Sequence, residues 1–380
     1  MKVLMISTEK LPVPNIRGGA IQTYICGVMG LLAKRHKITI LGRTDPDLPV
    51  DEISGGIRFA RVESNGQFDV YRKNVIDFLK RAKNPYDLIH MFNRPKLVIP
   101  VRQVYPDARI LLSMHNDMFN PGKISRSEGE AAVEETERII TISDFIGEKI
   151  CKDIPKAVGK TKTIYSGVDL KRFIPWSMSE QARLTRNRLR AEYGLTHKKV
   201  ILFVGRLTPK KGPHVLIRAM SYLKQNNAAL VLVGGSWYSD NTITDYVAYV
   251  KALAARSPHP VIIPGYIPTD QIHQWFSVGD VFVLTSLWEE PLARVLYEAM
   301  ASGLPILTTA RGGNTEVVQN NGLIVKNPEN PQEYAEKLDE LFSHPKRGQQ
   351  MGMNGRRMAE ERFSWNRVAE EILHVWEGSG

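Results

Sequence analysis

Residues 199–220 read KVILFVGRLTPKKGPHVLIRAM. Val200 to Val204 are apolar without alternation, which suits a strand buried on both faces, as in a parallel sheet covered by helices on two sides. A glycine, Arg206 and the Lys211-Gly212 pair follow, and a helical pattern begins directly after them. The two cations therefore sit on a loop at the carboxyl end of a strand, where parallel sheets collect ligands. Two cations there can hold a pyrophosphate, each charged hydrogen bond contributing about 1.5–3 kcal/mol net.

The same strand-then-helix rhythm runs through the chain. Its strand-like runs are KVLMIS, HKITIL, DLIHMF, ARILLSM, RIITI and TKTIY in the first half, then KVILFVG, AALVLVG, PVIIPG, DVFVLTS, LPILTT and GLIVK. Two such series predict an α/β protein with two doubly wound domains. Between them, DLKRFIPWSMSEQARLTRNRLRAEYGLTHKK is strongly charged and holds no plausible core strand. The expected organisation is residues 1–172 as the first domain, 173–198 as linker and first helix, 199–362 as the second domain, and 363–380 as a last helix packing back on the first. A ligand is expected in a cleft facing the carboxyl ends of both sheets.

A chain of 380 residues is long for one hydrophobic core, and 43% apolar with 24% charged residues is an ordinary globular balance. No apolar run approaches the roughly 18–20 residues that span a bilayer. MKVLMIS reads as a first strand rather than a signal peptide, because TEK follows at once. These features predict a cytoplasmic protein without a transmembrane segment. Cys26 and Cys151 are expected to be two buried thiols, and no Cys/His spacing suits zinc. The net charge of +11 attracts polyanions. Its densest segment, ARLTRNRLRAEYG with Arg183, Arg186, Arg188 and Arg190, reads as the solvated face of a linker helix rather than a binding patch. No nucleic-acid module is present, so no nucleic-acid partner is expected.

Two further stretches carry chemistry. Gly18-Gly19-Ala20 closes the loop after the first strand and opens a helix, letting backbone approach a ligand. WEEPLARVLYEAMASGLPI, residues 288–306, sets Glu290 and Glu298 eight residues apart. Pro291 is predicted at the first helical position, with Gly303 and Pro305 ending the helix. Glu290 then lies at the helix mouth and Glu298 about 12 Å along the axis. Positive potential at the helix start, between two carboxylates, suits a ligand with hydroxyls at both ends and a diphosphate between them. That describes a nucleotide sugar. The plainer alternative makes Glu290 a helix-terminal charge and pairs Glu298 with Arg294 on an exposed face.

Taken together, the Gly-Gly loop, His115 after a strand, YSGVDLKRF, GRLTPKKG, LVLVGG, GYIPTDQI, GDVFVLTS, the two glutamates and GGNTEVVQNNGLIV resemble the retaining GT-B glycosyltransferases of family 4, in order and over nearly the whole chain. The resemblance implies two Rossmann-like domains, acceptor-side then donor-side. It implies that Arg206, Lys211, Glu290 and His115 serve catalysis, with the two cations on the donor diphosphate, Glu290 on the transferred sugar and His115 near that sugar. Glu298 would bind the ribose hydroxyls. Gly18, Gly19, Gly234, Ile267, Leu292 and Ala293 would complete the donor site. It further implies a nucleotide-diphosphate sugar donor, a UDP-sugar first, with no other cofactor and no metal, since no Asp-x-Asp motif stands at a suitable strand end and the cations can replace one. Transfer would retain anomeric configuration, with the acceptor hydroxyl attacking from the face the phosphate leaves and domain closure excluding water. The acceptor, be it glycan, glycolipid or protein, is not identified. Likeness to spore-coat members of the family adds spore coat proteins as partners, assembly into the coat as a location, and a weakly catalytic coat scaffold as the rival reading. A nucleotide-sugar epimerase and a polyanion binder are further rivals.

This chain departs from the family at Pro291-Leu292-Ala293, where Gly-Phe-Gly is usual, and at Ser166, where Asn is usual. Pro291 has no N–H to offer, leaving those of Leu292 and Ala293. Asp169 is expected to shape the turn between the domains.

Overall fold

A computed structural model describes residues 1–82, 85–237 and 242–378. The chain forms two compact units, Met1–Gly167 with Trp365–Gly380, and Val168–Ser364.

The first unit is built on eight strands: β1 (Lys2–Ile6), β2 (Lys37–Arg43), β3 (Asp51–Ser54), β4 (Ile57–Val62), β5 (Leu88–Phe92), β6 (Arg109–Met114), β7 (Arg138–Thr141) and β8 (Thr161–Thr163). Their order is β3-β4-β2-β1-β5-β6-β7-β8, parallel except for the β3–β4 pair. The strand order reverses between β1 and β5, so the loops after these strands open the crevice where such sheets bind ligands. The β3–β4 hairpin was not expected from sequence. Its strands are short and charged, and Gly55-Gly56 turns it with φ of 58° and 77°, the left-handed pair that a tight hairpin needs.

The helix Trp365–Trp376 belongs to this unit and lays Val368, Ile372 and Trp376 into the same core as β1, β2 and β5. Two close approaches seat it. A Cβ on Gly27 or on Gly167 would come within 2.3 or 2.5 Å of the Trp365 ring, so both positions require glycine. At the other end, Trp376 Nε1 donates to His90 Nδ1 at 3.2 Å, and His90 Nε2 meets Ser113 Oγ at 2.7 Å. Trp376 can only donate, so the imidazole proton sits on Nε2. Burial drives the His90 pKa down to about 3, which keeps the ring neutral.

The second unit holds six parallel strands: β9 (Lys199–Val204), β10 (Ala228–Val233), β11 (Val261–Gly265), β12 (Val281–Leu284), β13 (Ile306–Thr309) and β14 (Gly322–Val325), ordered β11-β10-β9-β12-β13-β14. The order reverses between β9 and β12, which places the loops after these two strands side by side.

The basic linker forms the helix Glu180–Glu192, but half of its expected solvated face is buried. Arg183 and Arg188 face water; Arg186 and Arg190 are 8% exposed and both grip Asp280, at 2.5 and 2.7 Å. Arg186 also donates to the Ser277 and Gly279 carbonyls at 2.6 and 2.8 Å. These two cations therefore hold the entry to β12. Burial lowers the Arg186 pKa; it also opposes ionisation of Asp280, yet the facing guanidiniums win and hold that carboxyl below its ordinary range. In the same unit Asp169 Oδ1 accepts from the backbone N–H groups of Lys171 and Arg172 at 3.0 and 3.1 Å, a side-chain-closed turn. Cys26 and Cys151 are free thiols, partly rather than fully buried. No helix among the described residues is long and apolar enough to cross a membrane.

Candidate active site

At the carboxyl end of β9, Gly205 leads into Arg206, whose guanidinium lies 4.9 Å over the Trp237 ring. Gly234 backs this loop. Its φ is 144°, and a Cβ there would lie 2.0 Å from the Gly205 carbonyl. Residues Pro209–Lys211 make one 3-10 turn, and Gly212, at φ 64°, opens the helix Pro213–Ala219. Two hydrogen bonds tie this turn to the segment after β12: Thr285 Oγ1 donates to the Lys211 carbonyl at 2.7 Å, and the Leu287 N–H to the Lys210 carbonyl at 2.8 Å. A Cβ on Gly212 would stand 2.4 Å from the Thr285 carbonyl, so only glycine allows the approach.

That tether carries Lys211 to Glu290. Its Nζ lies 2.6 Å from Glu290 Oε2, with side chains 14% and 9% exposed. Ser286 Oγ at 2.8 Å and Trp288 Nε1 at 3.0 Å donate to the same oxygen. Three donors on one oxygen fix the carboxylate plane, while Oε1 takes no partner among the described residues. Lys210 lies 5.6 Å over the Trp288 ring, so the loops after β9 and β12 meet through a second contact.

The helix carrying Glu298 begins at Arg294, with Ala293 as its N-cap, not at Pro291. The 12 Å axial spacing of the two glutamates therefore does not hold, because Glu290 lies in the preceding loop. The cause is a second loop, Gly312–Asn314, which captures the backbone of residues 290–293. Gly313 N–H donates to the Glu290 carbonyl at 2.9 Å, and Ala293 N–H donates to Asn314 Oδ1 at 3.0 Å. A Cβ on Gly312, at φ 58°, would lie 2.0 Å from that Glu290 carbonyl. Glu289 holds the loop from outside through the Gly312 N–H at 2.8 Å and Arg311 at 3.2 Å. The Ala293 N–H expected to face a ligand is thus occupied; that of Leu292 has no partner among the described residues. Leu292 and Ala293 are each 5% exposed.

Glu298 pairs with Arg294 at 3.0 Å, as the alternative reading held, but the face is enclosed: the two side chains are 12% and 16% exposed. Burial raises the Glu298 pKa, with Arg294 opposing it. The helix ends as expected. Gly303, at φ 69°, donates to the Met300 carbonyl and Leu304 to that of Ala299, the paired bonds of a glycine-terminated helix. Ile267 stands partly buried in the loop after β11.

In the first unit, Gly18 and Gly19 take φ of 83° and 101°, and Gly19 caps the helix Ala20–Leu32. His115 follows β6 and is 6% exposed, its ring 4.7 Å edge-on from Tyr24. Its backbone N–H donates to Asn93 Oδ1 at 2.6 Å. Beside Asn93, the buried pair Arg94–Glu9, 2.5 Å apart, joins the loops after β5 and β1. Sequence reasoning missed this pair, and it missed Ser286, Trp288, Gly312 and Asn314. An indole two residues and a hydroxyl four residues before Glu290 were usable signals; Gly312, Asn314 and the Arg94–Glu9 pair act across loops that share no short-range pattern. Among the described residues no group of three or more His, Cys, Asp or Glu could hold a metal ion.

Two doubly wound units, the second with paired cations and an enclosed carboxylate at its switch point, define a GT-B glycosyltransferase. The chain belongs to glycosyltransferase family 4. Residues 18–172 match the family model Glycosyltransferase Family 4, and residues 185–358 match Glycosyl transferases group 1. It is 42% identical to Spore coat protein SA of Bacillus subtilis (strain 168) over 99% of both chains. Among solved structures, Anabaena HepE in complex with UDP-glucose superposes with a TM-score of 0.79 at 21% identity, covering 100% of both chains. Sucrose-phosphate synthase of Thermosynechococcus elongatus gives 0.80 at 22% identity over 100% and 99%.

Proposed function

We propose that this glycosyltransferase moves a sugar from a nucleotide diphosphate donor, a UDP-sugar, to an acceptor hydroxyl with retention at the anomeric carbon. The observation that carries the reading is the Lys211–Glu290 pair, held at 2.6 Å beside the Arg206 loop where the second sheet reverses its strand order. Departure of the diphosphate is the difficult event, because negative charge accumulates on it. Lys211 and Arg206 are the cations that stabilise that charge, and a preorganised cation costs no reorganisation at the moment of reaction. Glu290, with Oε2 occupied by Lys211, Ser286 and Trp288, presents Oε1 to the hydroxyls of the transferred sugar. Glu298 accepts from the ribose hydroxyls, and His115 with Gly18 and Gly19 serves the donor from the first unit. Two protein cations on the diphosphate make a metal unnecessary. HepE, similar in fold, is solved with UDP-glucose, which supports UDP as the nucleotide. The spore-coat relative supports a role in coat or cell-surface glycan synthesis.

The test is donor turnover. Lys211→Ala is expected to lose well over tenfold in transfer or donor hydrolysis, the scale of one lost charge-stabilising group, and the product anomer is read by NMR. Unchanged turnover in Lys211→Ala removes the charge-stabilisation claim. Nucleotide binding without turnover toward any acceptor favours the coat-scaffold reading.

A further inference from the structure

Asn314 is completely enclosed, with 0% of its surface exposed. Its Oδ1 accepts from the Ala293 N–H at 3.0 Å, while its Nδ2 is buried and has no partner among the described residues. A buried amide with an unused donor costs stability that an apolar side chain of similar shape would not. What the amide supplies in exchange is local. The segment 290–293 contains Pro291, which cannot donate a backbone hydrogen bond. Its two ends are held instead from the facing loop: at Glu290 by the Gly313 N–H, and at Ala293 by Asn314 Oδ1. Gly312 allows the approach, since any Cβ there would strike the Glu290 backbone.

We infer that Asn314 is a positioning residue for Glu290, fixing through the Ala293 N–H the loop that aims the carboxylate Oε1 at the transferred sugar. The inference rests on the sugar-binding role proposed for Glu290. Asn314 does not touch the sugar; it removes the freedom of a loop in which Pro291 has no N–H and the Leu292 N–H takes no partner among the described residues. A loop left free misplaces the carboxylate by tenths of an ångström, and such errors reach the chemical step more than donor affinity.

The test is a double-mutant cycle on donor hydrolysis or transfer, with the melting temperature of each variant recorded. Asn314→Ala is expected to lower kcat about tenfold, with donor KM changing less than about threefold, and to lower it no further in a Glu290→Gln background. Ala293→Pro removes the same hydrogen bond from the other side, and the Ala293 φ of −76° fits a proline ring. It is expected to reproduce the kcat loss and the cycle, and it carries the test if Asn314→Ala fails to fold. Equal losses in both backgrounds, or an unchanged kcat in either single variant, would overturn the inference alone. A Glu290→Gln enzyme with full kcat would overturn it together with the role proposed for Glu290.

Discussion

Lys211 and Glu290 are each nearly enclosed, and each is the other's counter-charge. An enclosed ion pair of this kind costs about 3–5 kcal/mol when one partner is removed, because the other is left uncompensated. The stability of a Lys211 variant therefore has to be measured alongside its turnover. Gly312 offers a cleaner probe of the same geometry, since it carries no charge. Its φ of 58° and the 2.0 Å approach to the Glu290 carbonyl both exclude a side chain. Gly312→Ala is expected to cost about 2 kcal/mol or more, from left-handed strain plus the displaced backbone, and to lower turnover in step. Urea denaturation and steady-state kinetics read the two effects; a variant as stable and active as the parent would remove the argument for the Gly312–Glu290 approach. The types of these residues were legible in the sequence, and so was their loop placement. Their pairing was not, because Lys211 and Glu290 are 79 positions apart.

The helices illustrate how far local signals reach. The stop at Gly303 was readable, because the residue in the left-handed conformation and its two hydrogen bonds lie within six positions. The start was misread at Pro291, because Asn314 draws the Ala293 N–H away from the local cap that proline would favour. Charge on the linker helix was misjudged for a related reason: Asp280, some ninety residues on, turns Arg186 and Arg190 inward. The last helix makes a prediction of its own. His90 is protonated below about pH 6.5 in an unfolded chain but only near pH 3 in the folded one. Unfolding therefore takes up a proton between these values, so its contribution is fully present above pH 6.5 and is lost as the pH falls toward 3. The expected slope is up to about 1.4 kcal/mol per pH unit. His90→Gln, which can accept from Trp376 and donate to Ser113, is expected to lose stability less steeply between pH 7 and pH 5. Parallel urea midpoints for the two proteins would show that the ring is not the titrating group.

For the whole molecule, the reading turns on a nucleotide bound by the folded chain and not by the unfolded one. Such a ligand raises the melting temperature, by about 2.7 kcal/mol of stabilisation at a hundredfold excess over its dissociation constant. UDP is expected to raise it more than GDP or ADP, and Lys211→Ala to abolish the difference. Equal melting curves with all three nucleotides and with buffer would count against the donor reading. Most of the twelve strands of the two series were legible because they are continuous apolar runs, and burial on both faces leaves that mark on a parallel sheet; β8, Thr-Lys-Thr, and β11 are only half-buried. The β3–β4 hairpin left none: β3 is an edge strand whose charged residues look like loop, and in β4 Arg58 and Arg61 interrupt the apolar run.

From its residues alone the chain commits to two parallel-sheet units with cations and carboxylates at strand ends, because periodicity and loop chemistry are written within a dozen neighbouring positions. Which cation faces Glu290, where the Glu298 helix begins and which arginines are buried depend on partners 21 to 94 positions distant. Those contacts exist only after the strands have brought their loops together, and no local pattern encodes a distance that the sheet itself creates.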